Sequence, residues 1–370
     1  MQKSDGSINR PVNRRSFLKT GMLAGSAATI GAGLVGSLKP AFGQNSNLTK
    51  GDVKILRMLA AAELIEADLW TQYAELGGIG DNPPIEVAPN PQLNSYQAAL
   101  SNLDSDGPQY ITSNTLDEVS HATFLNGYLE SKGEDPVNFD EFRTLQGSTA
   151  TGADNIGRLT CLQHLNVDTS WFIRYRSKTN PDFGATFPQA VTITNRTAIP
   201  ITDADLNGSA AHIQVIANIA AFHFGYIEQG GASLYASMGQ KASSAELLEI
   251  IFGIGGDEVA HFLEWVDFAG NGVQAPVAPV TDTGLTFPDF FASPLGALVQ
   301  PSLIFPVPCE FISPNLPHCS VIRPLTDKFG GAVATIASFT ADGLFFGQSK
   351  EFFTVVNQIA AEADAAVRHT

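Results

Sequence analysis

The pattern of apolar and polar positions divides most of the chain into helical segments. Six of them show apolar residues at helical spacing or a composition rich in helix-forming residues. The first begins after Thr49, a residue type that caps helix N-termini, and ends at Gly77-Gly78. The predicted helices cover residues 50–76, 113–132, 154–178, 203–238, 243–268 and 348–368.

Two other segments have the character of strands or loops. Residues 181–200 alternate with β-branched side chains and predict a short hairpin. From Val273 onward the sequence becomes rich in Pro and Phe, which indicates a domain boundary. The chain is therefore predicted to be all-α, with its long helices in residues 44–272, an insertion at about 134–204, and a C-terminal extension at 273–370 that ends in a helix.

Composition and charge narrow the classes of protein that fit. With 370 residues, 44% of them hydrophobic and 16% charged, the chain has enough apolar material for a folded core. The formal net charge of −16 argues against nucleic acid as a partner. The three cysteines are too few for a disulfide-held scaffold. Cys309 and Cys319 are candidates for a disulfide in an oxidising compartment, with two unpaired buried thiols as the alternative.

The N-terminus resembles a twin-arginine signal peptide. Asn13-Arg14-Arg15-Ser16-Phe17-Leu18-Lys19 precedes an uncharged, glycine-rich stretch and then Ala41-Phe42-Gly43, whose small residues suit cleavage before Gln44. Asn13 stands where the family pattern usually has Ser or Thr. The resemblance covers residues 1–43 and implies export of the folded protein by the Tat translocase to the periplasm or another extracytoplasmic location, with no stable membrane span after cleavage. An uncleaved N-terminal anchor is the alternative.

Two short segments nearly repeat each other within predicted helices. Residues 117–121 and 257–261 both read Asp-Glu-Val-small-His. A Glu and a His three residues apart on a helix project to the same side, so that carboxylate and imidazole converge. Glu258 and His261 also fall on the apolar stripe of their helix. Because a buried carboxylate or imidazole is costly unless it is paired or bound to metal, this spacing indicates metal ligands.

The two other long helices carry a second repeated signal. Glu66 is followed seven residues later by Tyr73, and Glu228 is followed seven residues later by Tyr235. Each Glu interrupts an otherwise apolar stripe. The chain therefore contains, twice, a helix with Glu and Tyr followed by a helix with Glu-x-x-His, which is the order of a duplicated helical hairpin.

Two single Glu residues plus two Glu-x-x-His pairs form the ligand set of the ferritin-like di-iron and di-manganese carboxylate proteins. Over residues 50–270 the sequence resembles that superfamily, and within it exported ferritin-like proteins related to plant desiccation-related proteins. The resemblance implies a four-helix bundle that binds two Fe or two Mn ions. It places Glu66, Glu118 and His121 at one ion and Glu228, Glu258 and His261 at the other, with Glu118 and Glu258 bridging and with Tyr73 and Tyr235 as redox-accessible neighbours.

Three other residues compete for ligand positions. The crossover between His121 and Glu228 is much longer than a plain bundle needs, and it contains His164 and Asp168 as alternatives to Glu228. Glu63 lies one turn before Glu66 and competes with it, although a surface position is the expectation for an unpaired charged side chain.

The resemblance leaves several functions open. The di-metal centre would react with O2 or peroxide, in oxidation or in metal-dependent protection against oxidative stress. Alternatively, the protein is a non-catalytic envelope stress or desiccation-related protein with a structural or vestigial metal site, or an iron-storage subunit. Metal ions and O2 or peroxide are the expected partners, and a homo-oligomer fits each of these functions.

Overall fold

The computed structural model describes residues 48–79, 93–169, 191–292, 313–319 and 330–369. Residues 46–370 belong to one compact unit. Within the described ranges the protein is mostly helical, as the all-α class predicts, and each of its short strands pairs with one antiparallel partner. The signal peptide predicted at 1–43 and the predicted disulfide partner Cys309 lie outside the described residues.

The element bounds are as follows. The helices are α1 (Lys50–Gly77), α2 (Ser95–Leu103), α3 (Gly107–Ser131), α4 (Asp203–Leu206), α5 (Ala210–Gly239), α6 (Ala245–Gly272), α7 (Ala332–Asp342) and α8 (Lys350–Asp364). The strands are β1 (Leu145–Gln146), β2 (Gly157–Arg158), β3 (Leu165–Asp168), β4 (Thr192–Arg196), β5 (Val280–Asp282) and β6 (Leu285–Phe287). The antiparallel pairs are β1 with β2, β3 with β4, and β5 with β6.

Four long helices form the centre of the molecule. Helix α1 packs along α3 and α5 packs along α6, and the two pairs meet through contacts of α1 with α5 and of α3 with α6. Side-chain caps fix where these helices begin. Thr49 and Asp52 form a reciprocal capping box at α1, and Ser209 and Ser244 accept backbone N–H groups at α5 and α6.

A group of buried aromatic rings joins α1, α5 and α6. The ring of Trp70 stacks on Phe224 with 5.0 Å between ring centroids and on Trp265 with 5.3 Å. Tyr73 meets Phe224 edge to face at 4.6 Å. Such rings bury large apolar areas in specific geometries, so they hold the three helices in a defined register.

The helix predicted over 154–178 is wrong for residues 154–169, and residues 170–178 lie outside the described structure. This part of the chain contains β2 and β3, and β3 pairs with β4 through Val167 and Ile193. The carboxylate of Asp68 on α1 accepts hydrogen bonds from the backbone N–H groups of Leu159 and Thr160, at 3.0 and 2.9 Å. Because these two N–H groups donate to a side chain of α1, they are not available for helical hydrogen bonds within their own segment.

Other predicted elements differ in extent. The helix predicted over 203–238 is two helices, α4 and α5, because Ser209 caps a new helix after Asn207-Gly208. The described part of the predicted hairpin, β4, pairs with the earlier strand β3. Helices α2 and α7 were not predicted. The helices predicted over 50–76, 243–268 and 348–368 correspond to α1, α6 and α8, and the one predicted over 113–132 is the C-terminal part of the longer α3.

The C-terminal helices pack on the four long helices. Helix α8 lies along α1, and α7 contacts both α5 and α8. Phe352 of α8 forms edge contacts with Phe139 and Phe142, at 5.8 and 5.6 Å between ring centroids. Helix α5 is long and apolar enough to cross a membrane, but most of it is buried inside the protein, as in the core helix of a folded domain.

His212 connects α5 to α4 and to β5. Its Nδ1 lies 2.8 Å from Oδ2 of Asp282, and its Nε2 lies 2.9 Å from Oδ1 of Asp205. Although partial burial opposes it, the two carboxylates raise the pKa of His212 above 6.5. Burial opposes the shift at Asp205 too, but hydrogen bonding by His212 lowers the pKa of that carboxyl below 3.8.

We expect His212→Ala to cost about 0.5–1 kcal/mol of unfolding free energy below pH 6.5, since both ion pairs are partly exposed. The pKa of His212 is higher in the folded than in the unfolded protein. The ion pairs therefore contribute fully at a pH below the unfolded-state pKa, and their contribution is lost as the pH rises through the folded-state pKa. Urea unfolding at pH 6 and pH 9, with the exposed His318→Ala as the matched control, measures it. A cost that grows with pH would contradict the assignment.

Candidate metal centre

The two repeated Asp-Glu-Val-small-His segments lie on α3 and α6 and contribute side chains to one buried cluster. Glu118 and His121 come from α3, and Glu258 and His261 come from α6. The carboxylates are fully buried, and the imidazoles are nearly so. Glu66 from α1 and Glu228 from α5 are buried beside them. The six residues predicted as metal ligands are therefore brought together in one cluster.

Besides a partly exposed set of Asp117, Asp257 and His261, the cluster contains two overlapping buried sets of residues, and inside each set the ligand atoms all lie within 4.8 Å of one another. One set is Glu63, Glu118, His121 and Glu258, and the other is Glu118, Glu228, Glu258 and His261. Glu118 and Glu258 belong to both sets. The geometry therefore offers two adjacent cation positions that share two carboxylates.

Both imidazoles face the cluster through Nδ1. In His121 this atom lies 3.4 Å from Oε2 of Glu63 and 3.5 Å from Oε2 of Glu118. In His261 it lies 3.0 Å from Oε1 of Glu118 and 3.4 Å from Oε2 of Glu228. Each imidazole therefore presents one ring nitrogen to the same group of carboxylate oxygens.

The opposite ring nitrogens face the first residue of the partner motif. Nε2 of His121 lies 3.3 Å from Oδ2 of Asp257 on α6, and Nε2 of His261 lies 3.4 Å from Oδ2 of Asp117 on α3. Both aspartates are only half-buried. A carboxylate on the outer nitrogen leaves the inner nitrogen free to bind a cation. These aspartates were not predicted to have a role, although their repetition in both motifs was the available signal in the sequence.

Glu63 is fully buried, so the surface position expected for it is wrong. Its Oε1 accepts a hydrogen bond from the hydroxyl of Tyr235 on α5, and its Oε2 belongs to one of the two ligand sets. The signal in the sequence was that no Lys or Arg lies within four residues of Glu63. An uncompensated carboxylate in an apolar helix is unlike a solvent-facing one.

The absence of a side chain at Gly231 on α5 leaves room for two of the carboxylates. A Cβ at this position would overlap Oε2 of Glu258 and would lie 3.3 Å from Oε1 of Glu66. Both oxygens of Glu66 and both of Glu258 accept no hydrogen bond from the described residues. Orphaned buried carboxylate oxygens are rare because they are costly, and a bound cation is one group that would satisfy them.

The electrostatics of the cluster also indicate missing positive charge. Five buried carboxylates (Glu63, Glu66, Glu118, Glu228 and Glu258) face two imidazoles. Burial first, and then the neighbouring carboxylates, raise the pKa of Glu66 and of Glu258. Burial and Glu63 raise the pKa of Glu118 to about 8, against hydrogen bonding by the imidazoles. Although burial opposes it, Asp257, Glu118 and Glu63 raise the pKa of His121 to about 12. Within the described ranges, the two histidines form ion pairs with Glu63, Glu118, Glu228 and Glu258, and Glu66 forms none.

The two tyrosines predicted as neighbours take different positions. Tyr235 donates to the cluster residue Glu63. The hydroxyl of Tyr73 contacts no residue of the two ligand sets in this way and instead lies 2.7 Å from Nδ1 of His223. The ring of Trp70 contacts that of Tyr73, with 5.7 Å between centroids, and its indole Nε1 donates to Oε1 of Glu228 at 2.9 Å. Trp70 was not predicted as a site residue, although it follows Glu66 by four residues on the same helix face.

Of the two alternatives from the crossover, His164 does not join the cluster. Nδ1 of His164 lies 2.7 Å from Oδ1 of Asn195, and its ring contacts Phe346. His164 belongs to neither of the two overlapping ligand sets. Asp168 is the last residue of β3, and its side chain lies outside the described part of the structure.

Fold and site together define a mostly helical protein with a buried carboxylate–imidazole cluster that could hold metal ions. No protein-family model matches the chain, and no curated protein and no solved structure matches it.

Proposed function

We propose that the protein is an exported ferritin-like protein in which α1, α3, α5 and α6 form a four-helix bundle around a di-iron or di-manganese centre. The observation that carries the proposal is the pair of overlapping ligand sets that share Glu118 and Glu258. In the ferritin-like carboxylate proteins, single Glu residues on two helices and Glu-x-x-His pairs on two others play these parts.

The donor set fits this class of metal. Glu63 and His121 would bind one ion and Glu228 and His261 the other, with Glu118 and Glu258 between them. Carboxylate oxygen and imidazole nitrogen suit Fe and Mn, whereas thiolate-preferring metals would find no sulfur ligand in either set. Glu66 adds a further buried carboxylate beside the sets.

The charge balance supports a redox role over a purely structural one. Two divalent ions would leave a negative charge on the cluster when all five buried carboxylates are ionised, so the cluster would favour a more highly charged, oxidised pair. When bound, such a pair would exchange electrons with O2 or peroxide. The chain contributes orientation: Asp117 and Asp257 fix the imidazoles, and Trp70 and Tyr235 hold Glu228 and Glu63.

The proposal includes the export route. The twin-arginine leader at 1–43 would deliver a folded, metal-loaded protein to the periplasm or another extracytoplasmic space. Protection against oxidants is the role that best fits that location. A non-catalytic stress-related protein with a structural or vestigial site, and an iron-storage subunit, are the alternatives that experiment separates.

Consumption of O2 and of peroxide by protein loaded with Fe or Mn tests the proposal. We expect turnover that depends on metal and falls at least about 100-fold in Glu118→Ala, because one shared ligand of both ions is lost. His164→Ala, which changes a histidine outside the two overlapping ligand sets, is the matched control and retains turnover. Loaded protein without turnover would favour the structural site, and a closed cage on size-exclusion chromatography would favour storage.

A further inference from the structure

Helices α3 and α6 lie side by side and antiparallel, and contacts at both ends fix their register. At one end, Nζ of Lys132 donates to Oε1 of Glu246 at 3.0 Å. At the other end, the side-chain amide of Asn114 donates to Oε2 of Glu264 at 3.1 Å. The aspartate–histidine contacts of the two repeated motifs lie between these ends. The two helices therefore share one outer surface about 27 Å long.

The exposed residues in the middle of this pair of helices carry no charge. A helix at a protein surface normally presents charged side chains to water. From 116 to 127 on α3 and from 252 to 260 on α6, however, every exposed residue is uncharged. We call the exposed residues of these two ranges the α3–α6 surface. Its large apolar members are Leu116, Val119, Phe124 and Phe252, and the 75% exposure of Phe252 is the highest of any large apolar side chain in the described ranges.

The packing of the chain does not account for Gly127 and Gly256 in the α3–α6 surface. Both lie inside a helix, where glycine is less favourable than alanine, and a Cβ at either position would meet no atom within 4 Å. Gly255 is different, because a Cβ there would lie 2.8 Å from Cβ of Tyr235. A glycine on a helix lets a second backbone or a large side chain approach closely. The open positions at Gly127 and Gly256 therefore suit a partner outside this chain.

The charges favour a second copy of this chain as that partner. The formal net charge of −16 opposes docking on anionic lipid or nucleic acid. The carboxylates nearest the centre of the surface, Asp117 and Asp257, already face imidazoles, so a basic partner would find them engaged. An uncharged surface brings neither acid against acid nor an unpaired base into the contact. A second copy supplies such a surface, and a twofold axis would place the same residues on both sides.

The area available also fits a dimer. Two helices side by side are about 20 Å wide, so the outer surface between the two end contacts covers roughly 500 Å² in projection. Two copies would together bury on the order of 1,000 Å², which is what a specific interface requires. Phe124 and Phe252 would supply apolar contact within it, since aromatic residues are enriched at the centres of interfaces.

We propose that the α3–α6 surface binds the α3–α6 surface of a second copy, so that the protein is a twofold homodimer joined through α3 and α6. This interface goes beyond the proposed function and does not depend on bound metal. It has a consequence for the cluster, because Asp117 and Asp257 adjoin the surface and are only half-buried in one chain. The second copy would cover both carboxylates and close the solvent side of the two aspartate–imidazole contacts.

Sedimentation equilibrium of the full chain tests the proposal. The wild type at about 100 µM is expected to be a dimer. Phe124→Asp and Phe252→Asp are each expected to raise the dissociation constant at least about 100-fold, because the twofold axis introduces each charge twice. Phe346→Asp, which changes a phenylalanine that is 60% exposed beside His164, is the matched control and leaves the constant unchanged.

Gly256→Leu provides a second variant that adds bulk without charge. Its open position and the good helix propensity of leucine keep the helix intact, which circular dichroism checks, and the dissociation constant is expected to rise at least about tenfold. A dimer that neither this change nor the two aspartate substitutions weaken would overturn the proposal. A wild type that stays monomeric would also overturn it and would leave a different protein as the occupant of the surface.

Carboxyl labelling places the interface on the molecule. The wild type is treated with a carbodiimide and an amine at concentrations above and below its dissociation constant, and labelled residues are identified by mass spectrometry. Labelling of Asp117 and Asp257 is expected to be at least about tenfold slower in the dimer, because a buried carboxylate is shielded from reagent. Asp140, whose side chain is 79% exposed, is the control and should label equally in both states. A dimer in which both aspartates label as fast as in the monomer would place the interface elsewhere and overturn the proposal.

Discussion

Glu258→Gln is expected to stabilise the metal-free protein and to destabilise the metal-loaded protein. Glu258 is fully buried, and burial followed by Glu118, Glu66, Glu63 and Glu228 raises its pKa. Without metal these carboxylates repel one another in a low-dielectric interior, and a neutral amide of the same shape relieves that repulsion. We expect a gain of about 2 kcal/mol in the free energy of unfolding of the metal-free protein.

With metal the same substitution removes a ligand shared by both candidate positions. Metal affinity is expected to fall at least about 100-fold, so the stabilisation that metal gives to the wild type is largely lost. Urea unfolding with and without a chelator, at constant pH, measures both states. Glu249→Gln, an exposed change on the same helix, is the control and should shift either state by less than about 0.5 kcal/mol. Destabilisation of both states by Glu258→Gln would show that the carboxylate has a structural role.

Gly231→Ala is expected to weaken metal binding without unfolding the protein. Its Cβ would overlap Oε2 of Glu258, so that carboxylate must leave its position, and Oε1 of Glu66 would also be crowded. Alanine is otherwise the better helix former by about 1 kcal/mol, which offsets part of the steric cost. We expect metal affinity to fall at least about tenfold, measured by titration with Mn²⁺ or Fe²⁺ under anaerobic conditions.

Gly253→Ala is the matched control for Gly231→Ala. Gly253 also lies inside a long helix, but a Cβ there would meet no atom within 4 Å. This variant should bind metal like the wild type and should be more stable by up to about 1 kcal/mol. Equal metal affinity in the two glycine variants would contradict the role given to Gly231.

The sequence predicted the elements whose signals are local. The repeated Glu-x-x-His spacing and the Glu residues that interrupt apolar stripes identify side chains that the structure buries in one cluster. Helices α1 and α6 were found for the same reason, because their periodicity and capping residues act within a few positions along the chain.

The features that were not predicted from the sequence depend on contacts between distant parts of the chain. Asp68 bonds to the backbone of Leu159 and Thr160, which periodicity alone could not show. Tyr73 bonds to His223, and His223 bonds to Asp342, across separations of 150 and 119 residues. Glu63 was expected at the surface because charged side chains usually are, but here its neighbours in space are histidine and carboxylates of other helices.

The metal content of the protein, purified from its native source, tests the central claim most directly. Mass spectrometry of the wild type should give about two Fe or Mn ions per chain, and Glu118→Ala/His261→Ala should give about none, because the double variant removes a shared carboxylate and one imidazole. A wild-type protein without metal, or equal metal in both proteins, would contradict the di-metal centre.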